Sequence, residues 1–190
     1  MVCMVWMVFS LVACTNSSPP TAPDLEGYTL ETVAGQSAQL ARKTGEEGAL
    51  LEQGWVENGR KTGTWTVYDP ESGMPVKVIS FVGGMYNGVY LEFNERGYLT
   101  LKAHYRNNQL HGPWSKYRFG GRLEAEARYR EGKLDGVYKE YYPRDKGLKE
   151  EIGYKMGVQH GPYRYYNENG ELTLEYEYAN GEKVSGGIIE

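Results

Sequence analysis

One short element returns at a fixed interval through most of the chain, and it constrains the fold more than any other feature. Gly-x-aromatic occurs as Gly63-Thr64-Trp65, Gly88-Val89-Tyr90, Gly112-Pro113-Trp114, Gly136-Val137-Tyr138 and Gly161-Pro162-Tyr163, with a worn copy at Gly186-Gly187-Ile188. Successive first glycines are 25, 24, 24, 25 and 25 residues apart. A second aromatic follows each of the first five glycines at Tyr68, Phe93, Tyr117, Tyr141 and Tyr166, and then a glycine at Gly73, Gly97, Gly121, Gly147 and Gly170. A third aromatic recurs at Phe81, Tyr105, Tyr129, Tyr154 and Tyr178, followed by Gly84, Asn108, Gly132, Gly157 or Gly181. Asparagine is the other residue that tolerates positive φ, so Asn108 fits the slot.

Between these punctuation marks the pattern has period two. Leu123 to Arg130 alternates apolar and charged, which predicts Leu123, Ala125, Ala127 and Tyr129 on one sheet face and Glu124, Glu126, Arg128 and Arg130 on the other. Leu99 to Arg106 and Leu172 to Ala179 read the same way. Each repeat is therefore expected to be one β-hairpin, and a lone hairpin is marginal in water, so neighbours must bury its aromatic face. The expected fold is all-β: a repeat array of antiparallel hairpins forming a meander in a single elongated, twisted sheet. The glycines Gly63, Gly88, Gly112, Gly136 and Gly161 are expected to serve structural turns. Residues 28–53 read as an irregular N-terminal cap or worn repeat, with Gly48 as turn and Val56 in the third aromatic slot, and 54–190 as the repeats. The two aromatics of the Gly-x-aromatic strand are an odd number of residues apart, which sends them to opposite faces unless a bulge intervenes. An exposed aromatic row would suit sugars or apolar side chains of a partner.

Tyr129-Arg130-Glu131-Gly132-Lys133-Leu134-Asp135-Gly136-Val137-Tyr138-Lys139-Glu140-Tyr141-Tyr142 resembles the bacterial variant of the MORN (membrane occupation and recognition nexus) repeat, as do Tyr105 to Tyr117 and Tyr154 to Tyr166. The resemblance covers about residues 54 to 187. It implies a non-catalytic hairpin array used for scaffolding, protein contact or membrane association, and some bacterial relatives are described as antitoxin-like. The motif is structural throughout, so it implies no site residue.

The N-terminus supplies an address. Residues 1–13, MVCMVWMVFSLVA, carry no charge and are too few for a membrane span, which needs about 20 apolar residues. Leu11-Val12-Ala13-Cys14, followed by Thr15-Asn16-Ser17-Ser18-Pro19-Pro20, resembles the bacterial lipoprotein signal. That implies cleavage before Cys14 and lipidation of its thiol, although no Lys or Arg precedes the box where such signals usually begin with a positive segment. Two or three acyl chains anchor stably where one would be marginal. Thr15, by resemblance to Gram-negative lipoproteins, points to the outer membrane. Residues 14–27 are expected to be the lipidated cysteine and a flexible tether. Only Cys3 and Cys14 exist, so no disulfide or cysteine metal site would survive processing.

Nothing in the sequence requires catalysis, a metal or a cofactor. His111 and His160 occupy a slot filled elsewhere by Thr62, Asn87, Asp135 and Ser185, which is turn chemistry, and His104 lies mid-strand. No nucleophile elbow, zinc-binding helix or phosphate loop is present. With 21 Lys+Arg against 25 Asp+Glu the net charge is −4, which argues against nucleic acid as a partner, and no small-molecule substrate is expected. The charge is uneven, however: residues 101–150 carry 12 basic and 7 acidic side chains, whereas both flanks are acidic. Lys102, His104, Arg106, Arg128 and Arg130 are thus a possible interaction surface for an acidic protein partner or anionic head groups. The expectation is a lipid-anchored envelope protein, non-enzymatic, presenting a binding or scaffolding surface. The alternatives are an antitoxin-like neutralising protein and an envelope glycan-binding protein.

Overall fold

The structure is a computed structural model that describes residues 25–189, so the expected signal peptide, Cys14 and most of the tether lie outside the described residues. Sixteen strands form one open antiparallel sheet. The first half holds β1 (Tyr28–Thr32), β2 (Gln39–Thr44), β3 (Leu50–Glu57), β4 (Arg60–Tyr68), β5 (Pro75–Val82), β6 (Met85–Phe93), β7 (Leu99–Arg106) and the short β8 (Gln109–Leu110). The second holds β9 (Gly112–Arg118), β10 (Arg122–Arg130), the short β11 (Lys133–Leu134), β12 (Gly136–Tyr141), β13 (Leu148–Lys155), β14 (Val158–Tyr166), β15 (Leu172–Ala179) and β16 (Glu182–Ile188). Strand order follows chain order, with β8 paired to β7 and β11 to β10. The all-β meander of antiparallel hairpins expected from the repeat is what the chain forms.

The third-aromatic end of each repeat closes in a two-residue turn. Both central residues have positive φ, as at Glu131 (51°) and Gly132 (78°), which is the turn whose twist matches that of the strands. These turns are also stitched to the preceding repeat. The amide of Gly84, Asn108, Gly132, Gly157 or Gly181 donates to the carbonyl of Lys61, Tyr86, Leu110, Leu134 or Gln159, at 2.7 to 3.0 Å. At Gly132 no atom stands within 4 Å of a would-be Cβ, so the requirement there is purely conformational. Gly132→Val and Gly157→Val should each cost about 1–2 kcal/mol, whereas exposed His160→Ala should stay within about 0.5 kcal/mol. Equal melting temperatures for the three variants would contradict this turn assignment.

The opposite ends close in longer loops. At these ends Asp69, Asn94 and Asn167 accept backbone amides from two to four residues ahead, holding the chain until Gly73, Gly97 or Gly170 reverses it. The Ser72 amide and hydroxyl facing Asp69 hold its carboxyl below the usual carboxylate range.

The core is a one-sided layer. Ala41, Val56, Trp65, Ile79, Phe81, Tyr90 and Ala103 are buried, with Tyr28, Tyr86, Tyr105 and Trp114 packed against them. The rings meet edge to face, Tyr28 on Trp65 (5.6 Å between centroids), Trp65 on Phe81 (6.1 Å) and Phe81 on Tyr86 (5.0 Å).

Residues 28–53, expected to be an irregular cap or a worn repeat, form β1, β2 and the first half of β3, in continuous register with the rest. Three expectations are corrected here. Leu25 already packs on the core and accepts the Tyr28 amide (3.1 Å), so the packed sheet includes part of the expected tether. The glycines Gly63, Gly88 and Gly161 lie within strands and Gly112 and Gly136 at strand starts, all with positive φ. They kink the strand rather than reverse the chain. Finally, each return strand contains one extra residue near its start: Leu51, Val76, Thr100, Glu124, Lys149 or Thr173. The unbulged strand keeps alternating past it, so the second aromatics stay on the face opposite the core. The bulge also carries Leu123 away from Ala125 and Ala127 to stand opposite Tyr117, and Glu124 reaches Lys116 (3.0 Å), which opposes Ala125.

Candidate functional site

The second aromatics do not form an exposed row. Phe93, Tyr117, Tyr141 and Tyr166 each stand opposite a leucine, Leu99, Leu123, Leu148 or Leu172, and all four rings are half-buried. Tyr141 also donates to Glu126 (2.7 Å); burial, and then that contact, push its phenol up to about 12. The outer face is therefore an aromatic–leucine ridge along one margin, with polar rows beside it.

Those rows follow from register, because directly opposed residues share a face. One runs Leu91, Lys102, Ser115, Glu126, Lys139, Glu151, Arg164, Glu175. Its far end is saturated: Arg164 bonds both Glu175 (2.6 Å) and Glu151 (2.8 Å), which holds the guanidinium firmly protonated. A second row contains Val89 opposite His104, then Pro113 opposite Arg128, then Val137 opposite Gly153.

All five basic residues singled out from the sequence come to this face. Lys102, His104 and Arg106 alternate along β7, and Arg128 and Arg130 along β10. The intervening β9 presents only Pro113 and Ser115 between them. The kinked glycines prepare the positions. The Cβ atoms of His104 and Arg128 lie 3.5 Å from where a side chain would start on Gly112 and Gly136, so the two stems rest over bare backbone. His104 is further held by its Nδ1 against the Pro113 carbonyl (3.2 Å).

The members differ in how they are used. Arg130 is paired with Asp135 (2.9 Å). Lys102, Arg106 and Arg128 are exposed and make no ion pair among the described residues, and neither does half-buried Lys139, which sequence reasoning missed. Its signal was the alternation of β12, but recognising it needs the register that sets Lys139 beside Glu126. Arg128 separates two shallow hollows. One, of about 290 Å³, includes Pro113, Ser115, Val137 and Lys139, and the other, of about 200 Å³, includes His111, Arg130 and Asp135.

A second cluster, on the aromatic face, was also missed. Glu140 and Glu150 stand directly opposite one another on β12 and β13. Glu150 is buried, 9% exposed, and is raised above the usual carboxylate range by that burial and by the Glu140 charge. Lys149 bonds Glu140 (2.8 Å), and Tyr163 lies 3.4 Å from Glu150. Burial beside these carboxylates pushes the phenols of Tyr138 and Tyr163 up to about 12. No group of three metal-ligating side chains exists among the described residues.

His111 and His160 do not meet, since they stand two repeats apart. Compared with protein-family models and with curated proteins, the sequence matches none.

Proposed function

We propose that this chain is a lipid-anchored protein of the bacterial envelope, held to the outer membrane through Cys14, whose sheet acts as a binding surface and not as a catalyst. The observation that carries the reading is the Leu11-Val12-Ala13-Cys14 box placed directly ahead of a polar Ser/Pro/Asn run. Supporting it, Thr15-Asn16-Ser17-Ser18-Pro19-Pro20 is a polar run of the kind that links a lipidated thiol to a folded body. The sheet has one aromatic face and one face of ordered polar rows, and a face of that kind recognises by shape and charge. The aromatic–leucine pairing lends little support to a glycan-stacking role, because half-buried rings offer no open platform.

The test is intact mass and membrane fractionation in a Gram-negative host, beside Cys14→Ser. A processed, acylated, outer-membrane form that turns soluble or unprocessed in the variant is the expected result. An unmodified cytosolic chain would overturn the anchor and favour the antitoxin-like alternative.

A further inference from the structure

We infer that the outer face between β7 and β12 is a docking site for an acidic, extended polypeptide segment of a protein partner. The inference rests on reading the sheet as a binding surface, and not on the lipid anchor. Lys102, Arg106 and Arg128 are gathered there with no ion pair among the described residues, beside Lys139, which the register places between Glu126 and Glu151, while the cations Arg130 and Arg164 of the same face are matched by carboxylates. Cross-strand pairing is the ordinary way for a sheet to neutralise its charges. Here the register opposes Lys102 to Leu91 and Ser115, and Arg128 to Pro113, so the sheet supplies no acid to Lys102 or Arg128 in those rows.

The dimensions fit a polypeptide. From β7 through β9 and β10 to β12 is three strand spacings, about 14 Å, which an extended segment of about five residues spans. The two hollows beside Arg128 give such a segment places for side chains, and Pro113 and Ser115 leave its backbone room to approach. A membrane surface fits less well. It is a continuous anionic plane, and on the same face Glu175 opposes Arg164 and Glu177 opposes Pro162, so an acidic stretch begins where the basic one ends. A discrete acidic segment engages the cations without meeting that flank. Each exposed contact is weak alone, but several unpaired charges of one sign steer and orient an oppositely charged partner.

The test uses the full chain in neutral detergent and an end-labelled oligoglutamate peptide of about six residues. Anisotropy should report binding that weakens as salt rises from about 0.01 M to about 0.15 M, where the screening length drops from about 30 Å to about 8 Å. The double variant Lys102→Glu/Arg128→Glu should lose about tenfold or more in affinity. Arg60→Glu/Lys183→Glu changes net charge equally at opposite parts of the sheet and should lose less than about twofold. Absence of peptide binding at low salt, or equal losses in both double variants, would overturn the inference. So would preferential binding of vesicles containing phosphatidylglycerol, which assigns the face to lipid. Self-association abolished by Lys102→Glu/Arg128→Glu would assign it to a second copy and overturn it as well. Failure of any of these leaves acylation of Cys14 standing, and an unacylated Cys14 leaves the peptide result standing.

Discussion

Gly54→Val is expected to destabilise the protein by about 3 kcal/mol or more, at the upper end of overpacking costs. Position 54 does not need glycine for its backbone angles. It needs glycine because a Cβ there would fall 2.1 Å from Trp65 Cδ2 and 2.3 Å from Cγ, inside the ring's own volume. Trp65 is the fully buried centre of the core, 0% exposed, with its indole N–H donating to the carbonyls of Trp55 (3.0 Å) and Thr62 (3.1 Å). The ring therefore has nowhere to retreat. Trp65→Ala should itself cost about 3–5 kcal/mol through lost burial and an unfilled cavity. The two losses share one cause, so Gly54→Val placed on Trp65→Ala should cost far less than it does alone. Urea or thermal unfolding of the four proteins measures this, with about 2–4 °C per kcal/mol for a chain of this size. Strictly additive costs would show that the ring does not occupy the space over Gly54.

The second large effect is expected at Lys61. Its ammonium sits 3.9 Å from the Trp65 ring centroid, 5.1 Å from that of Tyr28 and 5.6 Å from that of Phe81. It forms an ion pair with Glu52, and Tyr28 donates its hydroxyl to the same carboxylate. The Lys61 and Glu52 side chains are only 13% and 19% exposed, so removing one partner strands the other in a poorly hydrated place. Lys61→Met keeps the aliphatic stem over the rings and deletes the charge; a loss of about 2–3 kcal/mol is expected. Most of that cost belongs to the abandoned carboxylate, so adding Glu52→Gln should recover a large part of it. If the second substitution restores nothing, the cation–ring contacts carry the energy instead, and the ion-pair account fails.

The contrast between the two halves of the chain explains how much the sequence disclosed. Hairpins, turn positions and strand faces were legible because the constraints are local: Asn or Gly at positive φ, alternation of period two, and aromatics returning at one interval. Residues 28–53 were legible only as a cap or a worn repeat because Val56 stands where later repeats carry rings, although it is buried to 2% exposure in the same role. The six bulges left no local mark, since Thr100, Glu124 and Lys149 are ordinary strand residues; only the pairing on either side reveals one residue too many. The same limit applies to the site. Lys102, His104, Arg106, Arg128 and Arg130 could be placed on one face from alternation alone. That Arg130 has a carboxylate and Arg128 has none, that Lys139 joins them, and that Glu140 opposes Glu150 are facts of register, set by residues on other strands.

The amides that stitch each turn to the repeat before it give the array a polarity. A repeat that folds after its predecessor finds a carbonyl ready for its turn amide. One that folds ahead of its predecessor leaves that amide waiting. The advancing edge of an array built from the N-terminal side therefore carries an unfilled acceptor, the backbone group more often left without a partner in folded proteins. Loss of one repeat would therefore leave the turn amide of the next without its acceptor, so each hairpin depends on the one before it.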